Sequence, residues 1–458
     1  MRILHTADWH LGHTLRGHSR HAEHAHFLRW LVATVVEREV DALLLAGDVF
    51  DSANPPAPAW RQWFEFLGEL KRARPSLQVV VIAGNHDSAA RLEAPRELLA
   101  AFDVRVVGAV ARGPDGRLCV DDLLVPLRGR DGEVAALCAA IPFLRGSDVL
   151  ALVPPNRPAA DVPPPAGLPA RGDYVLPRPV AAHDPPPAAV AEPGGDAETD
   201  PLIDGMRALH AELFAAARAR RRPGQALLAL AHGYLVGGAL SELSERKVLG
   251  GNQHALPLDL FPDDCAYVAL GHLHRPQALG GREHVRYSGS PIPLSMPERE
   301  HAHHVVFADL DGERLAKVWS LRVPRLVPLL RVPERGALPP DAALAAIEAL
   351  PARDPACDDE LRPLVEVVVR LDAPLPGIGE RIARQLADKD VRLVRVEVEL
   401  GGGDGGVRPA PPGTELTSLS PEQVFVRRYA RDHDGAVPQP LLTAFRELLE
   451  QVEHGDGA

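Results

Sequence analysis

Asp8 and His10 stand two residues apart, just past the short apolar run "RILHTA". Four comparable stretches follow: "GDVFD" (47–51), "GNHD" (84–87), "AHG" (231–233) and "GHLH" (271–274). Each delivers Asp, Asn or His at the C-terminal end of a predicted strand, with Gly where the backbone must turn tightly or approach a ligand. In open α/β sheets the loops at these strand ends build active sites. The donors are oxygen and imidazole nitrogen without sulfur, a set that suits Mn, Fe or Zn better than a soft metal. Two cations about 4 Å apart can clamp the attacking and leaving oxygens of an in-line displacement at a phosphate ester. Such a pair needs one bridging carboxylate and about three further protein ligands per metal, and the five stretches supply that number. Singly, each motif is common by chance. Their joint order, each after an apolar strand, is the signal.

The elements that must position these residues are legible as alternating patterns. "RILHTA", "ALLLA" (42–46) and "VVVIA" (79–83) read as buried strands. Between them, "AEHAHFLRWLVATVVERE" and "WRQWFEFLGELKRA" carry apolar residues at helical spacing. This β-α-β-α-β order implies a parallel sheet covered by helices. Further strands are expected at 134–143, 225–231, 265–270, 303–310 and 314–321, the last two joined as a hairpin through Asp311-Gly312. The expected fold class is α/β, a layered sandwich with mixed sheets over residues 1–322. A second, small α/β domain is expected over 323–400, where "LVEVVVRLD", "GIGERIARQLAD" and "VRLVRVEVEL" form a β-α-β unit.

Proline at high density excludes helix and central strand from 153–200, which is expected to be a solvated insertion. "GGGDGGVRPAPPG" (401–413) reads as a linker. Beyond it, residues 414–458 hold two predicted helices. The first opens with a capping box, Ser420 to Gln423, and the second carries an apolar stripe from Leu441 to Val452. That stripe predicts a partner surface.

A net charge of −12 argues against indiscriminate polyanion binding. A local basic face, or bound metal ions, could still engage nucleic acid. The only lysines are Lys71, Lys247, Lys317 and Lys389, and the bias toward Arg, Ala and Pro runs through every segment. Four widely spaced cysteines suggest neither a zinc site nor a disulfide framework. No apolar run is long enough to cross a bilayer, and the chain opens as a strand, so a cytoplasmic location is expected.

The order D-x-H, G-D-x-x-D, G-N-H-D, H, G-H-x-H resembles the calcineurin-like metallophosphoesterase superfamily. "MRILHTADWHLGHTL", "AGDVFDSANPP", "VVVIAGNHDSAARLE", "YVALGHLHRPQ" and "HVRYSGSPIPLS" are similar to the nuclease subunits of bacterial ATPase–nuclease complexes. The resemblance covers residues 1–150 and 225–325, with a fainter echo in "LTSLSPEQVFVRRYA". It implies that Asp8, His10 and His274 hold one metal and Asn85, His232 and His272 the other, with Asp48 bridging them. It further implies that His86 acts at the phosphate without binding metal and that Asp87 orients the His86 ring. The implied cofactors are two divalent ions, manganese in particular. The implied reaction is hydrolysis of DNA phosphodiesters at duplex ends and hairpins, in repair and recombination.

The resemblance also implies partners: DNA, an ABC-type ATPase with a coiled coil, and a second copy of the chain. Helices at 58–73 and 91–102 are the candidate dimer surface, the first through Trp60, Trp63, Phe64 and Leu67. The superfamily's phosphatases carry Arg directly after G-D-x-x-D. Ser52 stands there instead, which weakens a monoesterase reading. Two alternatives stay open, a different phosphoester substrate (RNA, cyclic nucleotide or monoester) and a DNA-end-binding scaffold. Among the crowded N-terminal histidines, only His10 is expected to be a ligand. His5 is expected to be buried and hydrogen-bonded, Asp51 either supports the site or caps a loop, and His13 lies near the site.

Overall fold

The computed structural model describes residues 1–145, 149, 201–239, 256–373, 375–400 and 429. The proline-rich insertion, the linker with the following capping box, and the C-terminal apolar stripe lie outside the described residues. Those up to Val327 form one compact unit, and those from Pro328 onward form another.

Two six-stranded sheets form the first unit. We number its strands β1 (Arg2–Thr6), β2 (Ala42–Ala46), β3 (Gln78–Ile82), β4 (Val104–Val107), β5 (Leu124–Arg128), β6 (Val134–Ile141), β7 (Ala226–His232), β8 (Tyr267–Gly271), β9 (Gln277–Leu279), β10 (Arg282–Tyr287), β11 (His304–Asp311) and β12 (Arg314–Arg322). One sheet runs β12-β11-β1-β2-β3-β4 and the other β9-β10-β8-β7-β6-β5. Strands β1 to β4 are mutually parallel, as are β6, β7, β8 and β10, while β11, β12, β5 and β9 join antiparallel. The mixed sheets are those expected. The expected hairpin at 303–321 is β11–β12.

Ile3, Leu44 and Ile82 from the first sheet meet Leu228, Leu230 and Leu270 from the second in one buried core. The outer face of the first sheet is covered by α1 (His21–Glu37) and α2 (Ala57–Ala73). Helix α1 buries Phe27, Leu28, Leu31 and Val35, a single stripe. It ends where Glu39 takes a left-handed φ of 52°, with Val40 N–H bonding Val35 O at 3.0 Å and Glu39 N–H bonding Val36 O at 3.1 Å. Those two bonds satisfy carbonyls that a helix end leaves open. Helix α2 starts after Pro56, with Pro58 in its first turn, where a missing N–H costs nothing.

Two expectations about helices need correction. Trp63 and Leu67 of α2 point into the core and Trp60 packs partly on it, its ring 4.3 Å from that of Phe50, so of the four only Phe64 is exposed. The segment 91–102 is not one helix. It divides into Ala89–Glu93 and Arg96–Ala100, because Pro95 cannot donate the hydrogen bond that would join them. Helix α3 (Pro201–Arg220), which sequence reading leaves unassigned, packs Leu209, Leu213 and Phe214 against the second sheet.

The second unit holds three parallel strands, β13 (Leu329–Val332), β14 (Leu364–Leu371) and β15 (Arg392–Leu400). Helices α4 (Pro340–Glu348) and α5 (Ile378–Leu386) pack Ala343, Ile347, Ile378 and Ile382 against Val365, Val367 and Val369. The β-α-β unit read from the sequence is its larger part.

Candidate metal centre

Five parallel strands, three from one sheet and two from the other, end at one place. Asp8 and His10 follow β1, Asp48 follows β2, Asn85 and His86 follow β3, His232 closes β7, and His272 and His274 follow β8. The loops after β1 and β2 run side by side: Asp8 N–H bonds Gly47 O at 3.1 Å, His10 N–H bonds Asp48 O at 3.0 Å, and Leu11 N–H bonds Val49 O at 2.9 Å. Asp8, His10 and Asp48 hold left-handed φ values of 55°, 49° and 49°. Such conformations cost about 1–3 kcal/mol each and persist where surrounding structure over-determines them.

The two sheets meet closely here. A Cβ on Gly271 would lie 1.8 Å from the carbonyl oxygen of Ala46, so only glycine lets β8 reach β2. A Cβ on Gly84 would lie 2.1 Å from Asp48 Oδ1. The glycines of these motifs thus set the spacing of the carboxylate and imidazole donors.

Every residue expected as a ligand comes to this cluster. Ligand atoms of Asp8, His10 and His274 lie within 4.8 Å of one another, as do those of Asp8, Asp48 and His232. Asn85 Oδ1 is 2.9 Å from His232 Nε2 and 3.0 Å from His272 Nδ1. Asp48 Oδ2 is 3.4 Å from His232 Nε2 and 3.6 Å from His10 Nε2. Ligands about 2.1 Å from a shared ion are separated by about 3.0–3.4 Å at octahedral or tetrahedral angles, close to the spacings seen.

The hydrogen-bond accounting also fits a cation. Asp8 Oδ1 accepts His272 N–H at 2.9 Å, but its Oδ2 is buried without a hydrogen-bond partner. Neither ring nitrogen of buried His10 makes a well-formed hydrogen bond. His232 Nδ1 donates to Ala46 O at 2.7 Å, so in the neutral ring Nε2 carries a lone pair. That lone pair faces the oxygens of Asn85 and Asp48, three acceptors with no donor among them. A positive charge there, a metal ion or a proton, balances them. In the metal-free chain a proton serves: burial lowers the His232 pKa, but the adjacent Asp48 outweighs it and raises it to about 9. Burial pushes Asp8 up to about 7 and lowers His10 to about 4 and His272 to about 3, so both of these imidazoles are neutral at pH 7. Metal ligation requires neutral imidazole and ionised carboxylate.

His86 also comes close to the cluster: a ligand atom of its ring lies within 4.8 Å of those of His10 and Asp48. Its N–H donates to Asp48 Oδ1 at 2.8 Å and its Nδ1 donates to Asp51 O at 2.8 Å. Its ring is edge-on to His10, with centroids 4.7 Å apart. Asp87 does not orient that ring, contrary to expectation. Its buried carboxylate accepts three backbone N–H groups, from Gly84 at 2.9 Å, Val49 at 3.1 Å and Phe50 at 3.0 Å. Asp87 therefore ties the loops after β2 and β3 together.

Asp51 supports the site. Its Oδ1 lies 3.3 Å from His10 Nδ1 and 3.0 Å from His13 Nδ1. Burial raises the Asp51 pKa, but these histidines hold it well below the usual carboxylate range. His13 is fixed on its other side by Leu294 O at 3.0 Å. His5 is buried and bonded to Tyr267 OH at 3.0 Å and Leu270 O at 3.1 Å. One carboxylate was not identified from sequence. Glu298 lies 3.1 Å from His274 Nδ1, in an irregular Pro-rich stretch whose residues carry no period.

Residues 1–130 match the family described as calcineurin-like phosphoesterase, and residues 325–433 match the Type 5 capsule protein repressor C-terminal domain. A Rhodobacter capsulatus protein, named as the SbcD subunit of the nuclease SbcCD, is 40% identical over 442 residues, 94% of each chain. The Escherichia coli strain K12 protein of the same name is 31% identical over 99% of this chain and 98% of its own. The Bacillus subtilis one is 33% identical over the whole of both chains.

Proposed function

The chain belongs to the SbcD family of metallophosphoesterase nuclease subunits, and from that premise we propose that it cleaves DNA phosphodiesters at duplex ends and hairpins using two manganese ions. It is a metal-dependent nuclease, a hydrolase that binds divalent metal. The observation that carries the finer reading is the convergence of Asp8, His10, Asp48, His232 and His274, with Asn85 and His272 beside them, and buried lone pairs of Asp8 and His10 lacking partners.

In this reading Asp8, His10 and His274 hold one ion, Asn85, His232 and His272 hold the other, and Asp48 lies between. When bound, the ions would supply Lewis acidity, neutralising phosphate charge and activating water. The chain's own residues do the rest. Asp48 faces both halves through Oδ2, 3.4 Å from His232 Nε2 and 3.6 Å from His10 Nε2, while its Oδ1 holds the His86 backbone. His86 Nδ1 donates to Asp51 O, which fixes the ring and leaves Nε2 as the atom that would act at the phosphate. That ring would stabilise the phosphate and supply a proton to the leaving oxygen.

We assign the coiled-coil ABC ATPase SbcC as partner, because the relatives are named as subunits of SbcCD. The chain pairs with a second copy through the outer side of α2 and the segment after it, where Phe64, Leu98 and Phe102 are exposed apolar side chains. The segment 323–400 acts as a capping domain that helps position DNA, and residues 414–458 bind the ATPase. Among the described residues no helix is long and apolar enough to cross a membrane, which is compatible with the cytoplasmic location we assign.

The test compares manganese-dependent cleavage of a hairpin DNA with turnover of small phosphodiesters and monoesters. Preference for the hairpin, lost in Asp48→Ala, supports the reading. Preference for the small compounds refutes it.

A further inference from the structure

Glu298 is fully buried, in the short 3-10 turn Met296–Glu300 before β11. Its Oε1 accepts from His274 Nδ1 at 3.1 Å and from the Ser295 hydroxyl at 3.3 Å. Its Oε2 accepts Leu294 N–H at 2.9 Å and lies 3.4 Å from the Ser290 hydroxyl. A buried carboxylate is tolerated only when its lone pairs are satisfied in this way. The loop that carries it is anchored from the far side of the site: His13 Nε2 bonds Leu294 O at 3.0 Å, and Arg20 Nη1 bonds Pro293 O at 2.7 Å.

When ionised, the Glu298 carboxylate can only accept, and a neutral His274 beside it then carries its proton on Nδ1 and its lone pair on Nε2. His274 belongs with Asp8 and His10 in one ligand group, where a nitrogen lone pair is what a metal requires. We infer that Glu298 is a positioning residue for the metal centre: its carboxylate sets the tautomer and ring orientation of His274 and strengthens Nε2 as a donor to a divalent cation. Carboxylate–histidine–metal relays act in this way, and breaking one lowers metal affinity by about 10–100-fold. The inference rests on the metal-centre reading above and adds to it a residue outside the ligand set. It also gives the stretch "GSPIPLSMPE" (289–298) a role, as a rigid cradle behind one ligand.

The test is calorimetric titration of Mn2+ into the full-length metal-free protein and its E298Q variant. Glutamine keeps the size of the side chain, but its amide nitrogen must face either His274 Nδ1–H or Leu294 N–H, a donor against a donor. The expected result is an affinity loss of about 10–100-fold in E298Q, partly recovered in E298D. Far-UV circular dichroism of the metal-free variants should match that of the parent. Equal Mn2+ affinity in folded E298Q and the parent overturns the inference while leaving the metal centre intact. Failure of the parent to bind Mn2+ overturns the metal-centre reading itself, and this inference with it. Nitrogen NMR of the metal-free parent gives a second measurement that needs no folded E298Q, with the His274 signal assigned by its absence in His274→Gln. A proton on Nδ1 supports the inference, and a proton on Nε2 overturns it.

Discussion

Asp48 Oδ1 accepts the backbone N–H of His86 at 2.8 Å, so the central carboxylate of the cluster and the histidine beside it are joined directly. The other oxygen of Asp48 faces His232 Nε2 at 3.4 Å and His10 Nε2 at 3.6 Å. Asp48 therefore ties the His86 backbone to the side chains of the ligand cluster. Displacing Asp48 must disturb both.

This separates two variants. His86→Ala removes the ring but leaves every orphaned lone pair of the ligand set in place. Cleavage in single-turnover assays should fall by about 10²–10⁴-fold, the usual contribution of a general acid or base. Calorimetric Mn2+ affinity should stay near that of the parent. Asp48→Ala should lose both. A His86→Ala protein that no longer binds Mn2+ would place His86 among the ligands and refute its assigned role.

Metal binding should release protons and strengthen as pH rises. In the metal-free chain burial raises Asp8 to about 7, and Asp48 raises His232 to about 9 despite burial. Below those values each group holds a proton where a cation must bind, so protonation competes with metal. As pH rises through 7 toward 9 the competition fades and affinity increases. His10 and His272 are held neutral down to about 4 and about 3, so they add nothing in this window. Titrations in buffers of different ionisation enthalpy count the protons. A pH-independent Mn2+ affinity from 6 to 9 contradicts the assignment of Asp8 and His232 as ligands.

Gly84→Ala should be far more damaging than an ordinary small-to-large change. Its Cβ would lie 2.1 Å from Asp48 Oδ1 and 2.4 Å from Asp48 N, and backbone cannot yield as a flexible side chain can. Overpacking costs about 1–3 kcal/mol, to be read as a lowered melting temperature. Displacement of Asp48 should also abolish cleavage in whatever fraction folds. Near-normal activity in Gly84→Ala would mean that Asp48 tolerates a shift and is not the shared ligand.

Much of this site was legible because its residues follow buried apolar strands, and strand ends are easy to find. "ALLLA" matches β2 residue for residue, and the Asp following it is Asp48. The order of the motifs identified the family, and the geometry then brought the motifs together. What sequence hid was direction and distance. Asp87 adjoins His86 in the chain, yet its carboxylate turns to the N–H groups of Gly84, Val49 and Phe50. Glu298 is 24 residues from His274 and carries no pattern that distinguishes it from the surface acids Glu300 and Glu283. β10 escaped notice because its run "REHVRY" mixes charges with apolar residues, burying only Val285 and Tyr287. The break at Pro95 was readable from the residue type alone.

Asp87 gives the sharpest contrast with His86. Both of its oxygens are occupied by backbone donors that belong to the loops after β2 and β3, and none of those bonds reaches the phosphate side of the site. In Asp87→Asn the amide NH2 must face one of those N–H groups, leaving a buried donor unsatisfied at a cost of about 1–3 kcal/mol. The melting temperature should fall accordingly. The loops hold Asp48 and Asn85, so the centre should loosen as the fold does, and cleavage should track the folded fraction. His86→Ala should show the reverse, a stable protein that does not cut. Thermal melts and single-turnover rates on the two variants decide it: a stable, inactive Asp87→Asn protein would return Asp87 to the chemistry.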